Sequence, residues 1–317
     1  MPDELGEFTP RELRALAERC AWLRPLGPCP GWRFSSDWEN PATAFRLRRL
    51  IWEHCRTHGL ALPVVVPWHG ATRLRLHLGN DLSQALFVGG CYEPNEFAFL
   101  ARVLRPGMSF VDVGANDGVY ALPAAAWVGA KGRVFAFEPS RRELSRLRAN
   151  LRLNPAAARV EARGLALGDA TGSASLTIAE ETHAGQNTLG AFAYADVAPE
   201  RTERVRVMTL DAFAAEQRVA RIDVLKLDAE GAEERILRGA EGVLRTLRPT
   251  LLLELSDAAL RRQSSGSASV VRFLAAHAYD VYTFDDATGR PRRAPRGPWS
   301  DNVVASPRER PVAAGEA

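Results

Sequence analysis

Two short segments carry residues whose types and spacing suit chemistry. The first, Asp112-Val113-Gly114-Ala115-Asn116-Asp117-Gly118, follows a continuous apolar run, Met108–Val113. Gly114 and Gly118 permit a tight strand-to-helix turn and close approach of backbone to a ligand. Asn116 stands where a GxGxxG loop has its second glycine, and a dinucleotide enzyme needs bare backbone there for its pyrophosphate. A nucleoside ligand without phosphates tolerates that side chain; S-adenosyl-L-methionine, with its zwitterionic amino-acid end, is one. Glu138 closes the next apolar strand, where a carboxylate accepts hydrogen bonds from both ribose hydroxyls. Alone, Asp112 or Glu138 reads as an ordinary surface carboxylate; in register on consecutive strands they read as a nucleotide site.

The second segment is Lys226-Leu227-Asp228-Ala229-Glu230-Gly231-Ala232-Glu233. Strand alternation from Ile222 puts Lys226 and Asp228 on one face, with Leu225 and Leu227 on the other. Asp228 falls at the strand's C-terminal end, beside the glycine loop. Glu230 opens the next helix, where a carboxylate is stable with or without a catalytic role. Lys226 has Asp228 and Glu254 as candidate partners. A sulfonium is already a good leaving group, so methyl transfer needs the acceptor oriented and its proton removed. A carboxylate or imidazole base contributes about 10²–10⁴-fold. Asp228 is the first candidate for that base, or for positioning the acceptor. His183, in the loop-like EETHAGQNTLG segment, is the second. No HxxxH, HxH or carboxylate–histidine spacing calls for a metal, and none is expected. His54, His58, His69 and His77 are scattered.

These residues sit on alternating elements. Strands are expected at Met108–Val113, Arg133–Phe137, Val160–Leu165, Val205–Met208, Ile222–Leu227, Thr250–Leu255, Val281–Phe284 and Asn302–Ala305. Helices are expected at Glu96–Leu104, Val119–Val128, Ser140–Leu153, from Thr209, from Ala232 to about Leu247, and over Ser267–His277. Ser140-Arg141-Arg142-Glu143 reads as a capping box. Short apolar strands between amphipathic helices mean a doubly wound, mostly parallel sheet, with ligands at its carboxyl edge. Gln263–Ser269 and the basic Arg290–Pro298 stretch read as loops.

Residues 1–90 form an N-terminal α/β extension, 91–306 the main domain and 307–317 a disordered tail. In the extension, Thr9-Pro10-Arg11-Glu12 is a capping box opening a helix to about Cys20. Asn40-Pro41 opens a second helix ending near Gly59. Val64–Val66 and Arg73–Leu78 alternate as strands, with Leu74, Leu76 and Leu78 on one face.

The chain has 317 residues, 46% hydrophobic and 25% charged, which excludes wholesale disorder. A net charge of +3 is too mild to indicate nucleic acid. Cys20, Cys29, Cys55 and Cys91 form no CxxC and read as free thiols, with a disulfide or metal as the alternative. The acidic N-terminus shows no secretory signal, and the longest apolar run, Val119–Ala130, falls short of the ~20 residues a bilayer span needs. A cytoplasmic protein is expected, away from membranes.

The ordered motifs FVDVGANDG, FAFEPS, LRANLRLN, LALGDATG, TLDAF and VLKLDAEGAEERILRGAEG resemble the FkbM family of S-adenosylmethionine-dependent methyltransferases. Tyr92-Glu93-Pro94 and Leu104-Arg105-Pro106-Gly107 also fit. The resemblance covers about Cys91 to Ser256 and implies a Rossmann-like class I methyltransferase fold with a seven-stranded sheet. It implies that Gly114, Ala115 and Asn116 hold the methionine end of the cofactor and that Asp112 supports the loop or the amino group. Glu138 would bind the ribose, Pro139 and Ser140 would border the adenosine, and Ala166, Leu167 and Asp169 would lie at the adenine edge. Asp117 departs from the apolar residue expected there. An O-methylated hydroxyl on a sugar, glycan or polyketide-type product is the implied acceptor.

The (N/D)PP(Y/F) motif of amino-methyltransferases is absent, and no nucleic-acid partner is expected. Arg290, Arg292, Arg293 and Arg296 are either a solvated loop or a contact to an acidic, phosphorylated or nucleotide-linked acceptor. The extension reads as a cap over the acceptor or a homodimer surface. Its five tryptophans, Trp22, Trp32, Trp38, Trp52 and Trp68, suit a core and also stack on sugars. Two alternatives stand beside methyl transfer: a nicotinamide-dependent oxidoreductase, and a non-catalytic binding protein on the same fold.

Overall fold

A computed structural model describes residues 5, 8–32, 44–155, 159–299 and 301–312. The expected alternation builds a central sheet. In chain order the strands are β1 (Leu62–Trp68), β2 (Thr72–Leu78), β3 (Ser109–Val113), β4 (Arg133–Phe137) and β5 (Val160–Arg163). Next come β6 (Ala166–Leu167), β7 (Gly172–Ala179), β8 (Pro199–Met208), β9 (Val224–Leu227) and β10 (Thr250–Glu254). The last three are β11 (Tyr279–Phe284), β12 (Pro291–Arg293) and β13 (Asn302–Pro307). The central sheet has eight strands in the order β12-β11-β13-β10-β9-β3-β4-β5. Its β10-β9-β3-β4-β5 portion is parallel, while β13, β11 and β12 pair antiparallel. The strand order reverses between β3 and β9, so the loops after these two strands open side by side. Both segments singled out in the sequence lie there.

The eighth strand is β12, inside the Pro- and Arg-rich stretch expected to be a loop. It pairs only with β11, at an edge where proline's missing donor is tolerated. The expected strand Val160–Leu165 ends early, as β5 at Arg163, and the next strand, β6, joins a separate three-stranded sheet, β6-β8-β7. The expected helix from Ala232 to Leu247 is two helices, Glu233–Arg238 and Glu241–Thr246. The break has a steric cause. Gly239 packs on β6, and a Cβ there would fall 2.0 Å from the Gly168 carbonyl oxygen. Asp211 then caps the second helix, accepting from Gly242 N and Val243 N at 2.8 Å each.

The extension shares its core with the main domain. Leu74, Leu76 and Leu78 of β2 are buried, in one cluster with Ile51, Val64, Phe110, Val134 and Leu252. Each such side chain contributes ~1.5–3 kcal/mol. The open edge of β2 is closed by side chains: Asn150 and Asn154 of the helix Arg141–Leu153 accept from Arg75 N and Arg73 N at 2.7 and 2.8 Å. Such capping blocks pairing with another chain. The Thr9/Glu12 box forms, and the second helix runs Phe45–Thr57; its expected start at Asn40-Pro41 lies outside the described residues. All four cysteines are free.

The expected disordered tail is partly ordered. Glu309 pairs with Arg248 through two contacts of 2.7 and 2.8 Å, and residues 308–312 are described. No described helix is long and apolar enough to cross a membrane. Gly239→Ala is expected to destabilise the protein by ~1–3 kcal/mol through forced overpacking, read as a lower urea midpoint with unchanged slope. An unchanged midpoint would show that the helix break does not depend on this contact.

Candidate active site

A cavity of about 800 Å³ opens at the carboxyl edge of the sheet, over the β3 and β9 loops. Its floor is set by backbone contact. A Cβ on Gly114 would fall 1.8 Å from the carbonyl oxygen of Asp228, so only glycine lets the two loops touch. Asn116, immediately beyond, adopts φ 48°. Glu93 (φ 42°) and Glu230 (φ 52°) also line the cavity with left-handed backbone. Strain of this kind, ~1–3 kcal/mol per residue, persists where surrounding structure enforces it, and it clusters at functional sites.

Glu138 stands at one end. Its side chain is 5% exposed, and it accepts from Asn116 N and Ser140 N at 2.9 Å each. The bond to Ser140 corrects the expected capping box. Ser140 N is held by Glu138, and the Ser140 hydroxyl donates to the Glu143 carboxylate instead of accepting from the helix. Burial, reinforced by Glu143, pushes the Glu138 carboxyl up to about 8. Val113, Ala166, Leu167 and Ile236 give the adjoining wall an apolar surface.

Lys226 stands at the other end. Its ammonium lies 3.1 Å from Asp228, 3.5 Å from Asp112 and 4.8 Å from the centre of the Tyr120 ring. Burial alone would lower its pKa, but Asp228, Asp112 and Glu93 raise it above the ordinary lysine value. It is therefore a fixed cation. Asp112 is fully buried beneath it, pushed up to about 6 by burial and partly relieved by Lys226. Asp228, Glu230 and Glu254 each present an oxygen within 4.8 Å of the others, the one such group among the described residues with a geometry suited to a cation. Burial and then Asp228 hold both Glu230 and Glu254 well above the usual carboxylate range. Across from them, Glu93 receives hydrogen bonds from Tyr120 Oη and, at 2.7 Å, from Asn302 Nδ2.

The structure brings together Gly114, Ala115, Asn116, Glu138, Pro139, Ala166, Leu167, Lys226, Asp228 and Glu230, all in the cavity wall. Asp112 is not in the wall; it supports the loop through Lys226. Asp169 lies outside the cavity, exposed and paired with Arg235 at 2.9 Å, because the polypeptide turns outward after β6. His183 is also outside. The segment 180–190 does roof the cavity through Ala184, Gly185, Gln186, Asn187 and Leu189. His183 itself is not in the wall; its Nδ1 meets Asp81 of the extension, a wall residue, at 2.6 Å. Glu233 accepts from Ala229 N and Gly231 N at 2.7 and 3.3 Å and shapes the turn. Asp117 is buried, ahead of the helix that starts at Ala121. None of Arg290, Arg292, Arg293 and Arg296 lines the cavity; Arg292 and Arg293 pair with Asp285 and Asp280.

Sequence reasoning missed Glu93, Glu96 and Asn302, and treated Glu254 only as a partner for Lys226. They reach the site from three segments far apart in the chain. The carboxylate closing β10 at the sheet's carboxyl edge was the one usable signal, for Glu254.

The sheet order, with its site at the switch point, defines a class I methyltransferase fold. Residues 112–281, more than half of the chain, match the model of the methyltransferase FkbM domain, and the chain belongs to that family. Among solved structures it is similar to methyltransferase FkbM from Methylobacillus flagellatus, with 18% identity over 71% of this chain and 53% of that one, TM-score 0.39. It thus spans about half of that protein's length. A SAM-dependent O-methyltransferase from Thermotoga maritima matches at 13% identity over 78% of each chain, TM-score 0.38. Aeropyrum pernix fibrillarin, in complex with S-adenosyl-L-methionine, matches at 12% identity over 64% and 68%, TM-score 0.34. Comparison with curated proteins gives no match.

The raised carboxyls set a pH dependence. A carboxyl whose folded pKa lies above its unfolded one is more protonated when folded, so stability falls as pH rises toward the folded value. For Glu138 that window runs from 4.5 to about 8, and for Asp117 from 3.8 to about 7. His69 and His77, buried neutral at about 4, oppose this only below 6.5. The thermal midpoint of the protein without ligand is expected to fall from pH 6.5 to 8.5, and Glu138→Gln to flatten that slope. A midpoint that climbs across this range would contradict the assignment.

Proposed function

We propose that this protein transfers the methyl group of S-adenosyl-L-methionine to a hydroxyl of a sugar, glycan or polyketide-type product. The observation that carries the reading is Glu138. A carboxylate this deeply buried, with only two backbone donors, is short of hydrogen bonds. A ribose diol is a matching pair of donors, and the neighbouring apolar wall suits an adenine ring. Gly114, Ala115 and Asn116 would hold the amino-acid end. The residues therefore fit the cofactor, and Asn116 remains unfavourable to a dinucleotide pyrophosphate.

When bound, the cofactor supplies an electrophilic methyl carbon on a charged sulfur. The chain's own residues orient the acceptor and take its proton. Lys226, at 3.1 Å, fixes the position of Asp228, whose carboxylate accepts the proton as the hydroxyl oxygen gains the methyl. The roof of residues 184–189 excludes water, and the extension completes the acceptor side with Trp32, Asp81 and Leu82. That placement supports the reading of residues 1–90 as a cap. The carboxylate-rich wall, which has no arginine, disfavours nucleic-acid phosphates.

Titration calorimetry of the full chain is expected to give micromolar affinity for S-adenosyl-L-methionine and no binding of NAD. Glu138→Ala should weaken cofactor binding at least tenfold. Asp228→Asn should keep that affinity and lose about 10²–10⁴ in turnover, the span of general-base catalysis. Binding of NAD in preference would overturn the reading, and unchanged turnover in Asp228→Asn would remove the proposed base.

A further inference from the structure

The cavity wall among the described residues carries ten carboxylates and a single cation, Lys226. Lys226 is engaged with Asp112 and Asp228. A sulfonium nucleoside carries a sulfonium, an ammonium and a carboxylate, and so brings one net positive charge. On the methyl-transfer reading it faces the end formed by Gly114, Ala115, Asn116 and Glu138. The opposite end is left with a surplus of carboxyl groups and no cation but Lys226.

That end is built on the first turn of the helix Pro94–Val103, from Glu93 and Glu96. The Glu96 side chain is 6% exposed and lines the cavity, and its Oε2 has no hydrogen-bond partner among the described residues. Burial, then Glu93 beside it, pushes the Glu96 carboxyl up to about 8. The helix N-terminus at which it sits does not offset that burial. Aromatic side chains share the wall, among them Trp32 from the extension, Phe284 at the end of β11, Trp299 before β13, and Tyr92 and Tyr120. A buried carboxyl with one oxygen lacking a donor, in a cavity also lined by aromatic rings, is the chemistry that binds an organic ammonium, whose charge favours the ionised form. An acidic or phosphorylated group would find no cation there but Lys226, which Asp112 and Asp228 already engage.

We propose that the acceptor bears a protonated amine, seated against Glu96 and Glu93, as in an amino sugar or an aminated glycoside. The proposal rests on the methyl-transfer reading and narrows its substrate class. It also replaces the acidic acceptor that the Arg290–Arg296 cluster had offered as an alternative.

An isosteric series tests it. The full chain, loaded with S-adenosylhomocysteine at pH 7, is titrated with methyl 6-amino-6-deoxyglucoside, methyl glucoside and methyl glucuronide, which place +1, 0 and −1 at one position. The amine is expected to bind at least tenfold more tightly than the glucoside, and the glucuronide not at all. Glu96→Gln should reduce the amine preference below threefold while leaving S-adenosylhomocysteine affinity unchanged. Equal or tighter binding of the neutral or anionic sugar overturns the proposal. So does an amine that fails to bind at millimolar concentration. Magnesium is the rival cation: if it binds at Asp228, Glu230 and Glu254 and abolishes the amine preference, the charge is answered by metal and the proposal falls. Failure of S-adenosylhomocysteine itself to bind overturns the methyl-transfer reading, and this proposal with it; failure of the sugar arm with that compound bound overturns this proposal alone.

Discussion

A buried ammonium governs this site. Lys226 extends from β9 across the reversal point and touches a carboxylate from each of the two strands that meet there, Asp112 and Asp228. Without it, Asp112 would be a fully buried charge with no counter-ion, which costs several kcal/mol or forces protonation. With it, the two loops close on one another so tightly that Gly114 admits no side chain. The same cation lies over Tyr120, whose hydroxyl donates to Glu93. A single charge thus links the glycine loop, the catalytic edge and the acceptor end.

The remaining architecture keeps this arrangement rigid and covered. The left-handed backbone at Glu230 is held by donors to its carbonyl, Thr188 Oγ1 at 3.1 Å and Gln263 Nε2 at 2.9 Å. Thr188 belongs to the roof, so roof and catalytic turn are one hydrogen-bonded unit. The far side of the roof is fastened to the extension by His183 and Asp81 and to the main domain by Arg146 and Glu181. His183 therefore fastens the cover of the cavity to the extension.

Much of this was legible in the sequence because it depends on local periodicity. The glycine-flanked loop, Glu138 at the end of the next strand, and the Lys226/Asp228 pair on one face all follow from strand register. The failures share a cause: spacing gives a residue's position along an element, and the fold decides where its side chain points. Asp169 stands at the right place in the chain and turns outward to Arg235, and His183 is drawn to Asp81 of the extension. Ser140 has the sequence of a helix cap, yet its amide is diverted to Glu138. Glu93 has no local signal, since its position follows from an αL backbone before Pro94 and from Asn302, far along the chain. The break at Gly239 depends on the carbonyl of Gly168, in the turn after β6 and far away in the chain.

The central claim is that Glu138 receives the ribose of a sulfonium nucleoside. Two hydroxyl donors on a carboxyl resting at about 8 would restore its charge, so binding near neutrality must release a proton. Calorimetric titration with S-adenosylhomocysteine at pH 7, repeated in buffers of different ionisation enthalpy, measures that proton directly. The account predicts net proton release in the natural protein and its loss in Glu138→Gln; binding with no proton release, or with release undiminished in that variant, would contradict it.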